Sequence, residues 1–165
     1  MGKMVPKPRI EIAPAQAGDM EALRALFREY AAWLQVDYCL KDFEAEMAAL
    51  PGPCAPPAGG LWIARVDGAV AGAVALRPRG EGAAEMKRLW VREAYRGLKL
   101  GRGLVKAAIG GARTAGHRRI LLETLDFMAA ARALYADLGF VEEPRGDAPA
   151  NVRRLRCDLV ASITA

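Results

Sequence analysis

The stretch Glu85–Gly103, EMKRLWVREAYRGLKLGRG, limits the folds open to this chain more than any other. Its first half is an apolar and basic run with β-branched and aromatic residues, which predicts a strand ending near Val91. A turn from Arg92 to Arg96 follows. Gly97, Gly101 and Gly103 then open a segment whose apolar residues Leu100, Leu104, Ala108 and Ala112 recur at helical spacing, predicting a helix from about Gly101. Strand, glycine-rich loop and helix outline an anion site. The first N–H groups of a helix have no intrahelical partner and carry the positive end of the macrodipole, and glycine lets a ligand approach them. Arg96, Lys99 and Arg102 surround that opening with cations suited to a pyrophosphate. A P-loop would place Lys and then Ser or Thr after its last glycine, but Arg102 follows Gly101. The dinucleotide pattern G-x-G-x-x-G is absent as well.

The rest of the chain supplies a sheet and helices around this unit. Arg9 to Ala13 reads as a first strand, ended by Pro14. Asp19 is placed to cap a helix whose apolar stripe is Leu23, Leu26, Phe27, Tyr30 and Leu34. A second helix from about Lys41 to Leu50 stops at Pro51, where a proline- and glycine-rich loop runs to Gly60. Leu61 to Val66 and Ala69 to Arg77 read as strands joined by the hairpin signal Asp67-Gly68, with a turn from Pro78 to Gly82. Gly116 is placed to end the central helix in a left-handed cap. Arg119 to Leu125 is a strand, Met128 to Leu138 a helix ended by Gly139, and Val141 to Glu143 and Val152 to Leu159 are strands around a loop from Pro144 to Pro149. The expected class is α/β (α+β): a mixed, mostly antiparallel sheet of about six to seven strands flanked by about four helices. Residues 1–8 read as a flexible tail without the apolar segment of a signal peptide, and 9–165 as a single domain.

Composition narrows the function. With 53% hydrophobic and 26% charged residues the chain reads as a soluble globular protein, and no run approaches the roughly 20 apolar residues needed to cross a membrane. Cys39, Cys54 and Cys157 lack metal-like spacing, which implies reduced thiols, no metal and a cytoplasmic location. The net charge of +5 favours anionic partners. Nucleic acid ranks below a phosphorylated cofactor, because the cations cluster at a helix start and no aromatic–basic pattern of an RNA-binding module is present.

The stretch resembles the GNAT superfamily of acyl-CoA-dependent N-acyltransferases. That family's pyrophosphate loop runs Arg or Gln, two residues, Gly, one residue, Gly or Ala; Arg96 and Gly101 match its ends, and Gly97 is also usual. Lys99 stands in place of the middle glycine, a departure that imposes strain if its φ is positive. Ala94 sits where many members have proline. Downstream, Ala131 and the run Leu134-Tyr135-Ala136-Asp137-Leu138-Gly139-Phe140 resemble the family's second landmark, a helix with a tyrosine that ends in Leu-Gly-Phe. The resemblance covers Gly60 to Glu142.

It implies an acetyl-CoA-dependent N-acetyltransferase acting directly on an amine of a small molecule, peptide or protein, and it leaves room for a homodimer. Cofactor contacts are expected from main-chain groups of Leu89, Trp90 and Val91 and from the loop Arg96, Gly97, Leu98, Lys99, Leu100, Gly101, Arg102 and Gly103. Tyr135 matches the general acid that protonates the departing sulfur; the competing reading is a packed tyrosine whose hydroxyl reaches water. Glu85 and Glu123, on the strands flanking the expected gap, are candidate bases, and each also reads as a salt-bridged strand glutamate. His117 follows a helix cap and reads as a surface residue. Met128 replaces an asparagine that touches the cofactor in many members. Tyr30, Trp33, Tyr38 and Phe43 with Glu44 and Glu46 could form an aromatic, acidic pocket for an ammonium group, or be core and solvated surface. Two other functions stay open: a non-catalytic acyl-CoA-binding regulatory module, and a basic nucleic-acid-associated protein.

Overall fold

The computed structural model describes residues 5–159. The segment 1–4 of the expected tail falls outside them, and 5–9 carry neither helix nor strand. The elements are β1 (Ile10–Pro14), α1 (Met20–Leu34), α2 (Phe43–Ala49), β2 (Gly60–Val66), β3 (Ala69–Gly80), β4 (Ala83–Val91), α3 (Leu100–Thr114), β5 (Arg119–Leu125), α4 (Ala129–Asp137), β6 (Val141–Glu143) and β7 (Val152–Asp158). The strands form one sheet in the order β1-β2-β3-β4-β5-β7-β6. Only β4 and β5 run parallel, as a crossover through α3 requires, so the sheet is mixed and mostly antiparallel, as expected.

Both faces are covered. Along β2, Leu61 and Ile63 point to one core with Leu23, Leu26 and Phe27 of α1 and Met47 of α2. Trp62, Ala64 and Val66 point to the other, with Leu104, Val105, Ala108 and Ala112 of α3. A strand buried on both faces reads as an unbroken apolar run, which is what Gly60 to Ala64 presents. Phe27 and Leu104 are fully buried, and each such side chain contributes about 1.5–3 kcal/mol.

The turn chemistry behaves as read at three places. Asp67 and Gly68 take φ of 49° and 84°, giving the left-handed pair that a tight hairpin needs. After α3 and α4, Gly116 (φ 87°) and Gly139 (φ 97°) turn left-handed, and the next N–H bonds back five residues, His117 to Ala112 and Phe140 to Tyr135. Other boundaries differ. Asp19 does not cap α1: its carboxylate accepts from the Gln16 N–H at 2.8 Å and from Arg65 at 2.7 Å, closing a 3₁₀ turn before the helix. Strand β3 continues to Gly80, which shortens the predicted turn to Glu81 and Gly82. The segment Asp37–Leu40 is a separate 3₁₀ turn ahead of α2.

One irregularity in β4 shapes the site. Ala73 pairs with Trp90 and Ala75 with Lys87, so Arg88 and Leu89 together face the single residue Val74. This is a β-bulge, with Arg88 at φ 60°. It reverses the alternation of side chains. Ala84 and Met86 before it, and Leu89 and Val91 after it, face the α3 core, while Lys87 and Arg88 both reach Glu46 of α2 and Trp90 faces α1.

Candidate active site

Strands β4 and β5 pair only from Ala83 to Glu85 against Arg119 to Leu121, after which they part. The main chain of β4 from Met86 onward therefore has no ladder partner on the β5 side, because β5 pairs along its whole length with β7 instead. A cleft of about 650 Å³ follows the gap, and Leu89, Trp90 and Val91 line it. At its far end α3 begins. Gly103 N–H bonds the Lys99 carbonyl, and the amides of Leu100, Gly101 and Arg102 before it have no intrahelical acceptor. Among the predicted cofactor residues, Arg96, Gly97, Lys99, Leu100, Gly101 and Arg102 also line the cleft; Leu98 packs toward the core and Gly103 meets Ile12.

Lys99 has φ 61° and ψ 28°, so the replacement of glycine does place a side chain in the left-handed region. The cations are partly engaged. The Arg96 guanidinium lies 5.1 Å from the Trp90 ring centre and donates to the Val91 carbonyl at 3.1 Å, while Arg102 pairs with Asp137 of α4. The amides at the start of α3 are thus free donors at this end of the cleft, beside the Lys99 ammonium, which pairs with no described residue.

Tyr135 lines the middle of the cleft, its ring 5.6 Å from that of Phe140. Its hydroxyl makes no hydrogen bond with the described residues, and burial pushes the phenol well above its ordinary value. It therefore keeps its proton throughout the neutral range. Glu123 lines the same cleft, and its Oε2 accepts from the Tyr38 hydroxyl at 3.1 Å and from Arg154 at 3.3 Å. Glu85 does not join them. It faces a second cavity of about 570 Å³, where Arg77 (2.7 Å) and Arg79 (3.3 Å) hold it. The two cavities share Tyr30, Met86, Lys87, Arg88 and Glu123 as common wall.

The aromatic and acidic pocket is realised only in part. Tyr30 and Trp33 line the cleft and Tyr38 the second cavity, but Phe43 is core and Glu44 is an exposed partner of Arg28. Glu46 faces the second cavity already paired with Lys87 at 3.2 Å and Arg88 at 2.5 Å. His117 lines neither cavity, and its Nε2 meets the Ala58 carbonyl at 2.7 Å.

The family described as acetyltransferase (GNAT) family matches residues 20–140. The chain belongs to this GNAT family. An uncharacterized N-acetyltransferase of Schizosaccharomyces pombe is 37% identical over 124 residues, covering 74% of this chain and 76% of that protein. In fold, the chain is similar to a GNAT-family acetyltransferase from Staphylococcus aureus Mu50, with a TM-score of 0.77 and 22% identity over 92% of this chain and all of that one. It is also similar to an acetyltransferase of Salmonella typhimurium solved with its cofactor acetyl-CoA, with a TM-score of 0.72 and 19% identity over 94% of this chain and 96% of that one. The protein is thus an acyltransferase by family.

In this GNAT acetyltransferase several residues in or beside the cleft escaped sequence reasoning. Glu29 of α1 accepts from Trp90 Nε1 at 3.2 Å and takes Arg92 in a two-point bond at 3.0 and 2.8 Å, fixing α1 to the end of β4. Phe127 reaches across to Trp33 at 5.8 Å between ring centres. Thr124 donates to the Met128 sulfur at 3.4 Å, and both residues line the cleft. The only signal for Glu29 was its place one turn from Trp33 and next to Tyr30 on the predicted helix. Two of the cysteines, Cys39 and Cys54, line the second cavity. Burial raises both thiols, Cys54 to about 11, so they stay protonated and weakly nucleophilic.

Proposed function

We propose that this GNAT acetyltransferase uses acetyl-CoA to acetylate the amine of a small molecule, peptide or protein by direct transfer, in the cytoplasm, with residues 9–165 as one working domain. The observation that carries this reading is a single cleft joining three features: unpartnered amides at the start of α3, an unpaired edge of β4, and the free hydroxyl of Tyr135. The amides of Leu100 to Arg102 suit the pyrophosphate, with Arg96 and Lys99 at the exposed rim. The open edge at Leu89 to Val91 suits the amides of the pantetheine arm and leaves donors for the oxyanion. The structural neighbour solved with acetyl-CoA supports the choice of donor.

In the reaction a neutral amine forms a bond to the acetyl carbon, and the carbon–sulfur bond breaks. Tyr135 gives its proton to the sulfur, whose thiolate is itself made more basic by desolvation. The proton lost by the nitrogen passes to Glu123, whose Oε1 accepts from no described residue, directly or through water. Glu85, held by two guanidinium groups outside the cleft, serves as structure in this scheme. The direct test is release of free thiol from acetyl-CoA across a panel of amines. A chain that coenzyme A stabilises thermally but that releases no thiol with any amine would be the regulatory module instead.

A further inference from the structure

We infer that the amine acceptor carries a carboxylate close to its nitrogen, as a free amino acid does, and that the second cavity recognises that carboxylate through Arg88 with Arg77, Arg79 and Lys87. The inference rests on the proposed transfer reaction and names its substrate class.

The first observation is Arg88 itself. Its side chain is only 2% exposed; Nε bonds Glu46 at 2.5 Å and Nη1 the Cys39 carbonyl at 3.3 Å, but the buried Nη2 has no partner among the described residues. A buried donor of a charged group that stays unpaired costs free energy that a bound anion would recover. The bulge puts this residue in the wall common to both cavities.

The second observation is independent. In this cavity Glu46 is shared by Lys87 and Arg88, and Glu85 by Arg77 and Arg79. Each carboxylate thus meets two cations, while Lys41 offsets Asp42 and Arg154 offsets Glu123, leaving an excess of positive charge. That charge repels an ammonium ion and attracts an anion, the reverse of the pocket the aromatic and acidic residues suggest in the sequence. It also lowers the pKa of an amine nearby, which favours the neutral nucleophile. A carboxylate matches the planar donor fork of a guanidinium. At about 570 Å³ the cavity is of the size that takes a small molecule. Arg88 and Glu123 share the wall between the cavities, so a carboxylate held at Arg88 leaves Glu123 and the cleft adjoining its site.

The test compares each of the protein amino acids with its primary amide and with the amine lacking the carboxyl group, following thiol release from acetyl-CoA. The acids should exceed their amides in kcat/KM by roughly 10- to 100-fold, the size of a charge-assisted bond. Arg88→Lys, and Arg79→Gln as a variant at a half-exposed site, should narrow that ratio while coenzyme A still raises Tm, which reports that the fold and cofactor site are intact. Amides or simple amines as good as the acids would overturn the inference. If no amine releases thiol, the transfer reading fails, and binding decides this one: with coenzyme A present, N-acetyl amino acids should raise Tm more than their amides, and Arg88→Lys should abolish the difference. No such difference in the parent protein would overturn it.

Discussion

Tyr135 is held in the cleft by the turn of α4 that ends at Gly139, and its phenol keeps its proton because burial disfavours the anion. Tyr135→Phe should therefore lower kcat by about 10²–10⁴-fold and leave coenzyme A affinity unchanged by calorimetry. Since the shift is upward, loss of the acid form cannot cause an alkaline fall in kcat until above pH about 10, the free phenol value. A fall nearer pH 8 that disappears in Tyr135→Phe would refute the assignment. Lys99 makes a different kind of prediction. A side chain at φ 61° costs about 1–2 kcal/mol, and glycine removes that strain at an entropic cost of about 0.5–1 kcal/mol, so Lys99→Gly should hold or slightly raise Tm and retain cofactor binding. At this scale the sequence is unevenly legible. Lys99 announces itself, because a lysine in a glycine position poses a backbone question. Arg88 does not: strict alternation puts it beside Met86 in the α3 core, and only pairing with β3 reveals the extra residue.

Among the elements, α3 was readable to within a residue because its apolar stripe and its capping glycine agree. Its N-terminus gives a clean experiment. A Cβ at Gly101 would meet the Leu134 Cδ2 at an ordinary 3.6 Å, so Gly101→Ala should keep the Tm rise caused by coenzyme A, while Gly101→Asp should weaken binding at least about tenfold by placing a negative charge at the helix start. Helix α1 was legible as a helix but not in its attachment, since the Glu29 bonds to Trp90 and Arg92 join residues more than 60 apart. The Arg92 hydrogen bond holds the Glu29 carboxyl below its usual 4.5, against the opposing effect of burial, and Trp90 adds to it. A depressed carboxyl stabilises the fold above its unfolded pKa and loses that contribution as pH falls through the folded value. Melting curves should then show Glu29→Gln less stable than the parent above pH about 5, with the gap closing below pH about 4.

For the whole molecule, the mixed sheet with its one parallel crossover was legible in the alternation of predicted elements, whereas the splay of β4 from β5 was expected only from the family resemblance. The second cavity was not visible, because it is assembled from α1, the 3₁₀ turn Asp37–Leu40, α2, three strands and a proline-rich loop far apart in the chain. Direct transfer requires both reactants in place together, so initial-rate plots should intersect. Changing Cys39, Cys54 and Cys157 together to Ala should leave turnover largely intact in the folded variant, given thiols that burial keeps protonated. The wall shared by the two cavities also governs traffic. If donor and acceptor occupy the two cavities as proposed, they would meet at the shared wall of Tyr30, Met86, Lys87, Arg88 and Glu123, and neither would block the other's exit. Product inhibition should sort accordingly, coenzyme A competing with acetyl-CoA alone and the acetylated product with the amine alone.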